Sequence, residues 1–320
     1  MIIKHTAVPI LNLKLEALAR RLSQSHKMRP IVLEELARRQ KGYLGEGSLD
    51  YYLDPLPYKD FHIFYDTRLK NGKYHFQIDS LLLTPQFAVI IEVKNFSGDI
   101  HYDAKSKQFF RVINGNQEGI KNPIAQAERQ QRELLRWFNK NNFKPVPIEF
   151  LVAIKEPATK IMVTPGGEHI LEKILHFDHL ANAIFDIQRR YKKPILDHTL
   201  IQSIGKKLIS SHTPSDVEVL TKYGINKSDL ITGVRCPTCN SYPMRRIPRR
   251  WQCPTCYAES KTAHEQAIHD YILLISTTIT NLQSRHFLHI EDRSLATRIL
   301  SAMNLPHTGE HRGRVYYRPE

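Results

Sequence analysis

Cysteine is scarce in this chain of 320 residues: there are four, all between Cys236 and Cys256. No disulfide framework can therefore run through the rest of the molecule. No stretch reaches the roughly 18 consecutive apolar residues of a membrane-spanning helix, so no membrane association is expected. The opening MIIKHTAVPILNLKLEALARR lacks the apolar core and small-residue cleavage site of a secretory signal, and a reducing cytoplasm is the expected location. Acid is also short. Against 46 Lys and Arg stand 32 Asp and Glu, a net charge of +14, which predicts a polyanionic partner, nucleic acid before any other. With 41% hydrophobic residues the composition is otherwise that of a globular protein long enough for two or three domains.

Residues 1–42 read as a basic helical arm, with amphipathic LNLKLEALARRL and PIVLEELARRQ and nine Lys or Arg against Glu16, Glu34 and Glu35. Residues 43–164 read as an α/β domain. One helix precedes the strand-like segments FHIFYDTRL, YHFQIDSLLL, FAVIIEVKN and QFFRVI, and a further helix precedes the strand IEFLVAI. Asn122 suits an N-cap and Pro123 the first helical position, so that helix is expected to bury Ile124, Ala127, Gln131, Leu134 and Phe138. Residues 165–212 form a helical extension and 213–261 a linker with the cysteine module. In the C-terminal domain, 262–320, a long helix from near Thr262 leads to DRSLATRILSAMN, striped by Leu295, Ile299 and Met303, and to the β-like end GEHRGRVYY. A helix followed by a Gly-turned ribbon resembles the end of a winged helix; it suits nucleic-acid contact, through Arg312 and Arg314, or simple packing.

The stretch IDSLLLTPQFAVIIEVKN, residues 78–95, looks like two buried strands, yet it carries Asp79, Glu92 and Lys94. A Pro85-Gln86 loop would pair Thr84 with Phe87 in an antiparallel hairpin. That register sets Asp79 opposite Glu92 and Gln77 opposite Lys94, all on one face. Two like charges at such a pair are destabilising unless something compensates. A hard divalent cation would do so, and a neighbouring lysine could position water and offset charge on a phosphoryl transition state. Glu46, in GYLGEGSLDYYL, shares a helical stripe with Tyr43, Leu49 and Leu53, where a glutamate is unexpected. Each charge taken singly fits a cap or a surface ion pair; the joint pattern favours a site.

Gly45-Glu46, Ile78-Asp79, Glu92-Val93-Lys94-Asn95 and Asn122-Pro123 with Gln126 resemble the nuclease-related domain (NERD), a branch of the PD-(D/E)xK nuclease superfamily. The resemblance covers about residues 40–160. It implies a restriction-endonuclease-like mixed sheet flanked by helices, Glu46, Asp79 and Glu92 as ligands of Mg²⁺ or Mn²⁺, Lys94 as the catalytic lysine and a phosphodiester substrate. Ile78 stands where the superfamily's name has proline, an apolar residue being usual in this branch. Gln126 and Gln77 suit either a phosphate or water contact or plain packing.

Cys236-Pro-Thr-Cys239 and Cys253-Pro-Thr-Cys256 have the spacing of paired knuckles that meet at one tetrahedral Zn²⁺, and they resemble a zinc ribbon. A closed Cys₄ shell has no open position, which makes the metal structural. Arg245, Arg246, Arg249, Arg250 and Trp251 lie between the knuckles, and no Asp or Glu occurs from Ile231 to Ala258. Phosphate contacts and stacking of Trp251 on an unpaired base are the expectation. The sequence thus predicts a metal-dependent nuclease acting on nucleic acid, DNA first. Its rivals are a catalytically silent DNA-binding protein, or an adaptor that meets a DNA-processing partner through the zinc ribbon.

Overall fold

The computed structural model describes residues 1–46, 49–57 and 59–318, and the side chains of 44–46 lie outside the described part. A short strand β1 (Ile2–Lys4) precedes the helices α1 (Ile10–Arg21), α2 (Arg29–Glu46) and α3 (Leu49–Leu53). Strands β2 (His62–Asn71), β3 (Tyr74–Leu83), β4 (Ala88–Lys94), β5 (Asp99–Asp103), β6 (Gln108–Ile113) and β7 (Asn116–Ile120) follow. After α4 (Pro123–Lys140) come β8 (Ile148–Ile154), β9 (Ile161–Val163), β10 (Ile174–His176), α5 (Leu180–Arg190), α6 (His198–Ser211) and α7 (Val219–Tyr223). The chain ends with β11 (Arg245–Ile247), β12 (Arg250–Gln252), β13 (Glu259–Ser260), α8 (Ala263–Leu274), β14 (Thr278–Thr280), α9 (Asn281–Leu288), α10 (Arg293–Ala302), β15 (His307–Thr308) and β16 (Val315–Tyr317). No described helix is long and apolar enough to cross a membrane.

Two compact units result, the first from residues 1–8 and 40–215, the second from 9–39 and 216–320. In the first, a mixed six-stranded sheet runs in the order β1-β2-β3-β4-β8-β10, and a four-stranded sheet in the order β7-β6-β5-β9. β2, β3 and β4 form an antiparallel meander, whereas β4-β8 and β8-β10 are parallel. Their near-continuous apolar runs are explained by helices on both sides. Ala88 and Ile90 of β4 join the core that holds Ala127, Leu134 and Phe138 of α4, while Val89 and Ile91 join the core that holds Leu180, Ile184 and Ile187 of α5. Each of these buried Val, Ile, Leu and Phe side chains stabilises the fold by about 1.5–3 kcal/mol.

Helix α4 starts as its sequence dictates, with Asn122 Oδ1 accepting the Ala125 N–H at 3.0 Å and Pro123 in the first turn. Its buried positions are Pro123, Ala127, Gln130, Leu134, Trp137 and Phe138. The stripe is therefore turned slightly from the expected one, with Gln130 inside and Gln131 half-buried.

One backbone irregularity shapes the hairpin β2-β3. Asp66 has φ 45, a left-handed conformation uncommon for a non-glycine residue. The pairing skips it between Tyr65↔Ser80 and Thr67↔Ile78. On β3, Leu81 and Leu83 enter the α4-side core above this point and Ile78 and Phe76 below it; on β2, Phe64 and Leu69 do the same. The inward parity of both strands thus shifts by one residue at Asp66 and Asp79. Lys4 Nζ braces the kink, donating to the carbonyls of Tyr65 and Asp66, both at 2.8 Å.

In the second unit, α1 packs on α8, and the segment 9–39 shares a core with Val219, Leu220, Leu273 and Leu274. The two are joined by a buried charge cluster. Arg21, fully buried, donates to Asp270 Oδ2 at 2.8 Å and to the carbonyls of Ile231 and Gly233, and Arg20 donates to Asp270 Oδ1. The Arg21 guanidinium lies over the rings of Tyr242 and Phe287. Small antiparallel sheets complete the unit, β11-β12-β13 beside the cysteines and β14-β16-β15 at the end of the chain. The long helix expected from Thr262 stops at Leu274. Ser276 to Thr280 is rich in β-branched residues, and the chain pairs there as β14 before α9 begins at a Thr280–Gln283 capping box.

Candidate active site and four-cysteine centre

The β3-β4 hairpin closes with Thr84, whose N–H donates to the Phe87 carbonyl at 2.9 Å and whose hydroxyl accepts from the Phe87 N–H at 3.0 Å. The ladder runs Leu83↔Ala88, Leu82↔Val89, Leu81↔Ile90 and Ser80↔Ile91, the register that the Pro85-Gln86 loop predicts. It stops there. One residue further, Asp79 Oδ2 accepts the Val93 N–H at 2.9 Å, so a carboxylate replaces a backbone acceptor at the end of the hairpin.

Glu92 is 1% exposed. A lone buried carboxylate is costly, and this one is heavily solvated by protein. Its Oε1 accepts from Lys94 Nζ at 2.5 Å and from Gln126 Nε2 at 2.6 Å, and its Oε2 from Gln130 Nε2 at 2.6 Å. Lys94 Nζ also donates to Gln126 Oε1 at 3.2 Å. The α4 geometry explains the grip, because residues four apart lie one above the other on a helix face. Gln126 and Gln130 are such a pair, and both reach the β4 carboxylate.

The ladder's early end has a second effect. With no β4 N–H opposite, the Gln77 carbonyl accepts from Gln130 Nε2 at 2.9 Å. Gln130, 3% exposed, so ties β3 to the Glu92 carboxylate from one amide. The sequence marks it only by its four-residue spacing from Gln126. The expected pairing of Gln77 with Lys94 does not form. The parity shift at Asp66 turns the Gln77 side chain toward Asp66, to whose Oδ1 it donates at 2.6 Å. The side chain of Glu46 lies outside the described residues, but its helix is fastened nearby. Asn95 Nδ2 donates to the Lys41 carbonyl at 3.0 Å and Lys41 Nζ to Ser97 Oγ at 2.6 Å, which ties α2 to the end of β4.

The donor set suits a hard cation. Asp79 and Glu92 offer carboxylate oxygens, which Mg²⁺ and Mn²⁺ favour. A carboxylate has about four lone-pair sites, and Glu92 uses three of them on Lys94, Gln126 and Gln130. Its remaining lone pair can meet a cation without any of those bonds breaking.

The four cysteine sulfurs lie within 4.8 Å of one another. Cys236 Sγ is 3.6 Å from Cys256 Sγ, and Cys239 Sγ 3.5 Å from Cys253 Sγ; Zn–S bonds of about 2.3 Å in a tetrahedron place sulfurs about 3.8 Å apart. The cluster is consistent with a structural zinc. Both knuckles have the same build. The N–H of Asn240 donates to the Cys236 carbonyl and that of Tyr257 to the Cys253 carbonyl, at 3.0 Å each, and Asn240 and Tyr257 are left-handed, with φ 67 and 60. Hydrogen bonding with Ser241 brings the Cys239 thiol down to about 6; at Cys256 a backbone hydrogen bond with Ala258 pulls the thiol down, but the neighbouring thiols and burial together outweigh it and push it up to about 12. Four sulfurs this close cannot all ionise without a counter-charge, and a dication would supply it.

Of the expected nucleic-acid contacts, Arg245, Arg249, Arg250 and Arg312 are exposed and Arg246 and Arg314 half-buried. Trp251 is not available to a base. Its ring is 1% exposed, packs in the core of the second unit and donates Nε1–H to His264 Nδ1 at 3.1 Å. As a strand residue beside the cysteines it fills the space behind them, so the stacking role expected from the sequence is corrected to packing. Arg246 lies over that indole, 5.3 Å from the ring centroid.

Compared with known families, residues 41–155 match the model of the nuclease-related domain. No curated protein and no solved structure shows a significant match to the chain.

Proposed function

We propose that the chain is a metal-dependent nuclease acting on DNA, with its reaction centre on β3, β4 and α4. The observation that carries this reading is the buried Glu92 carboxylate, held by Lys94, Gln126 and Gln130, with the Asp79 carboxylate bonded to the N–H of the next residue, Val93, within the stretch that matches the nuclease-related domain. Asp79 and Glu92 would hold Mg²⁺ or Mn²⁺, with Glu46 as third donor. When bound, the cation supplies Lewis-acid polarisation of the phosphate and an acidified water.

The chain's own groups perform the rest. Glu92 fixes Lys94 in place through the 2.5 Å bond. The ammonium has three N–H donors and spends two of them on Glu92 and Gln126. Its third is directed to a water or phosphate oxygen, where its charge opposes the charge that grows in the transition state. The lysine side chain is 20% exposed, enough to meet substrate, while its partner is 2% exposed and shielded. Gln126 positions the lysine; Gln130 and the Val93 N–H orient the two carboxylates.

The second unit serves binding in this reading. The four cysteines hold zinc as a ribbon-like module with its exposed arginines around it. The order α8-β14-α9-α10-β15-β16, with the sheet β14-β16-β15, supports a winged-helix-like element. Titration of the zinc-loaded protein with Mn²⁺, followed by paramagnetic resonance, tests the site: binding is expected in the wild type, reduced at least tenfold in Asp79→Asn. Equal binding by the two would remove the proposed ligand set. DNA binding that persists with no Mn²⁺ site would favour a silent binding protein.

A further inference from the structure

Helix α10 presents five polar residues to solvent, Arg293, Ser294, Thr297, Arg298 and Ser301. Its apolar side, Ala296, Ile299 and Leu300, is buried. At roughly 100° per residue, positions 293, 297 and 300 fall on one flank of the exposed strip, and 295, 298 and 302 on the other. Each flank borders a hollow. The first, about 670 Å³, is lined by Arg285, Arg293, Arg312 and Arg314. The second, about 420 Å³, is lined by Arg246, Arg249 and Arg298.

Neither lining contains an aspartate or glutamate. None of these seven arginines pairs with a carboxylate among the described residues. Arg314 Nε and Arg246 Nη1 are buried atoms without a hydrogen-bond partner, so the protein does not use the full donor capacity of these two lining guanidinium groups. Burial, and then the like charge of Arg298, hold Arg246 below its ordinary value. Fixed like charges without counter-charge are the arrangement that an incoming anion relieves.

We propose that α10 enters the major groove of duplex DNA and that the two phosphate backbones bounding that groove sit in the two arginine hollows. The inference rests on the reading that the chain binds nucleic acid, and not on the reading that it cleaves it. The dimensions agree. A helix with its side chains is about 10–12 Å across, and the major groove of B-DNA is about 12 Å wide. The ten residues of α10 extend about 15 Å, enough to cross it. The exposed strip offers the hydroxyls of Ser294, Thr297 and Ser301, groups that read base edges, while the arginines of the two hollows meet phosphate in bidentate fashion. The same geometry excludes duplex RNA, whose deep, narrow major groove admits no helix.

Binding of the zinc-loaded protein to a labelled 20-base-pair DNA, without added divalent cation, tests this by anisotropy over a salt series. Arg249→Gly, which suits the left-handed φ of 66 at that position, and Arg312→Ala remove one phosphate contact on each side. Each is expected to flatten the slope of log affinity against log salt by about 1, and the double variant by about 2. Arg189→Ala in the first unit makes the same change of charge and should leave the slope alone. Duplex RNA of the same sequence should bind at least tenfold more weakly. Equal binding of RNA, an unchanged slope in both single variants, or an equal loss in Arg189→Ala would each overturn the proposal. Because no cleavage is read, DNA binding that follows this pattern in a protein that never cuts would sink the nuclease reading and leave this one standing.

Discussion

Gln130 Nε2 lies 2.6 Å from Glu92 Oε2 and 2.9 Å from the Gln77 carbonyl, so one buried amide serves both a carboxylate and the strand end that the β3-β4 ladder leaves unpaired. Gln130→Leu keeps the bulk and removes both donations. Hydrogen bonds to a charged group are worth about 1.5–3 kcal/mol, and a loss of that size is expected for the first unit. Urea unfolding monitored at Trp137, which packs in the same core, measures it; a loss below about 0.5 kcal/mol would show that water replaces the amide.

The pair Arg21–Asp270 joins residues 9–39 to the rest of the second unit with both side chains 1% exposed. Asp270→Ala leaves a buried guanidinium facing two carbonyls and no counter-charge. Breaking a buried pair from one side costs about 3–5 kcal/mol. A marked drop in the urea midpoint of the second unit is the expected result, and the double substitution Arg21→Met with Asp270→Leu should recover much of it. A single variant as stable as the wild type would mean that Arg20 and the carbonyls carry no dependence on Asp270.

Removal of zinc should act on the second unit. Chelation, or Cys239→Ser, would take away the zinc that the four-cysteine cluster suits, and metal binding supplies much of the folding free energy of such small modules. Hydrogen exchange is expected to rise in β11, β12 and β13 while the β3-β4 hairpin keeps its protection. Loss of protection in both at the same chelator concentration would contradict a local role.

His264 gives the second unit an acid-side sensitivity. Burial, with Arg246 adding a smaller effect, lowers its ring from 6.5 to about 4, and the neutral ring accepts the Trp251 indole N–H. A depressed folded value means that the unfolded chain binds the proton first. The contribution is full above about pH 6.5, declines as pH falls and is gone near pH 4. Such a shift corresponds to at most about 3 kcal/mol, less after solvent screening. His264→Gln should flatten the stability profile between these limits; an unchanged profile would assign the acid loss to other groups.

The hairpin was legible before the structure because its signals are local. A Pro-Gln turn between two apolar runs sets the register, and four ladder pairs follow it. Helix α4 was legible from Asn122 and Pro123, and the four-cysteine cluster from its spacing. Other features were not. Straight alternation put Gln77 on the face of Lys94, and no pattern announces that Asp66 takes a left-handed φ and shifts the parity of two strands. A 3.6-residue period cannot choose between Gln130 and Gln131, whose directions differ by about 100°; the fit of α4 on β4 makes that choice. Trp251 among arginines reads as a surface aromatic, and only the packing of α8 behind the ribbon shows it buried. Strands such as β7 (NQEGI) and β10 (ILH) carry too little alternation to be seen alone.

The central claim is that Glu92 and Lys94 form a reaction centre, and cleavage of DNA in Mg²⁺ or Mn²⁺ tests it most directly. Wild-type protein is expected to cut, with activity lost on omission of the cation, and Lys94→Ala and Glu92→Gln to fall by at least about 10²-fold. Retained DNA binding and an unchanged urea midpoint in Lys94→Ala would assign that loss to chemistry. Cation-dependent cleavage undiminished in both variants, or no cleavage by the folded wild type of any duplex, single-stranded or branched DNA, would contradict the account.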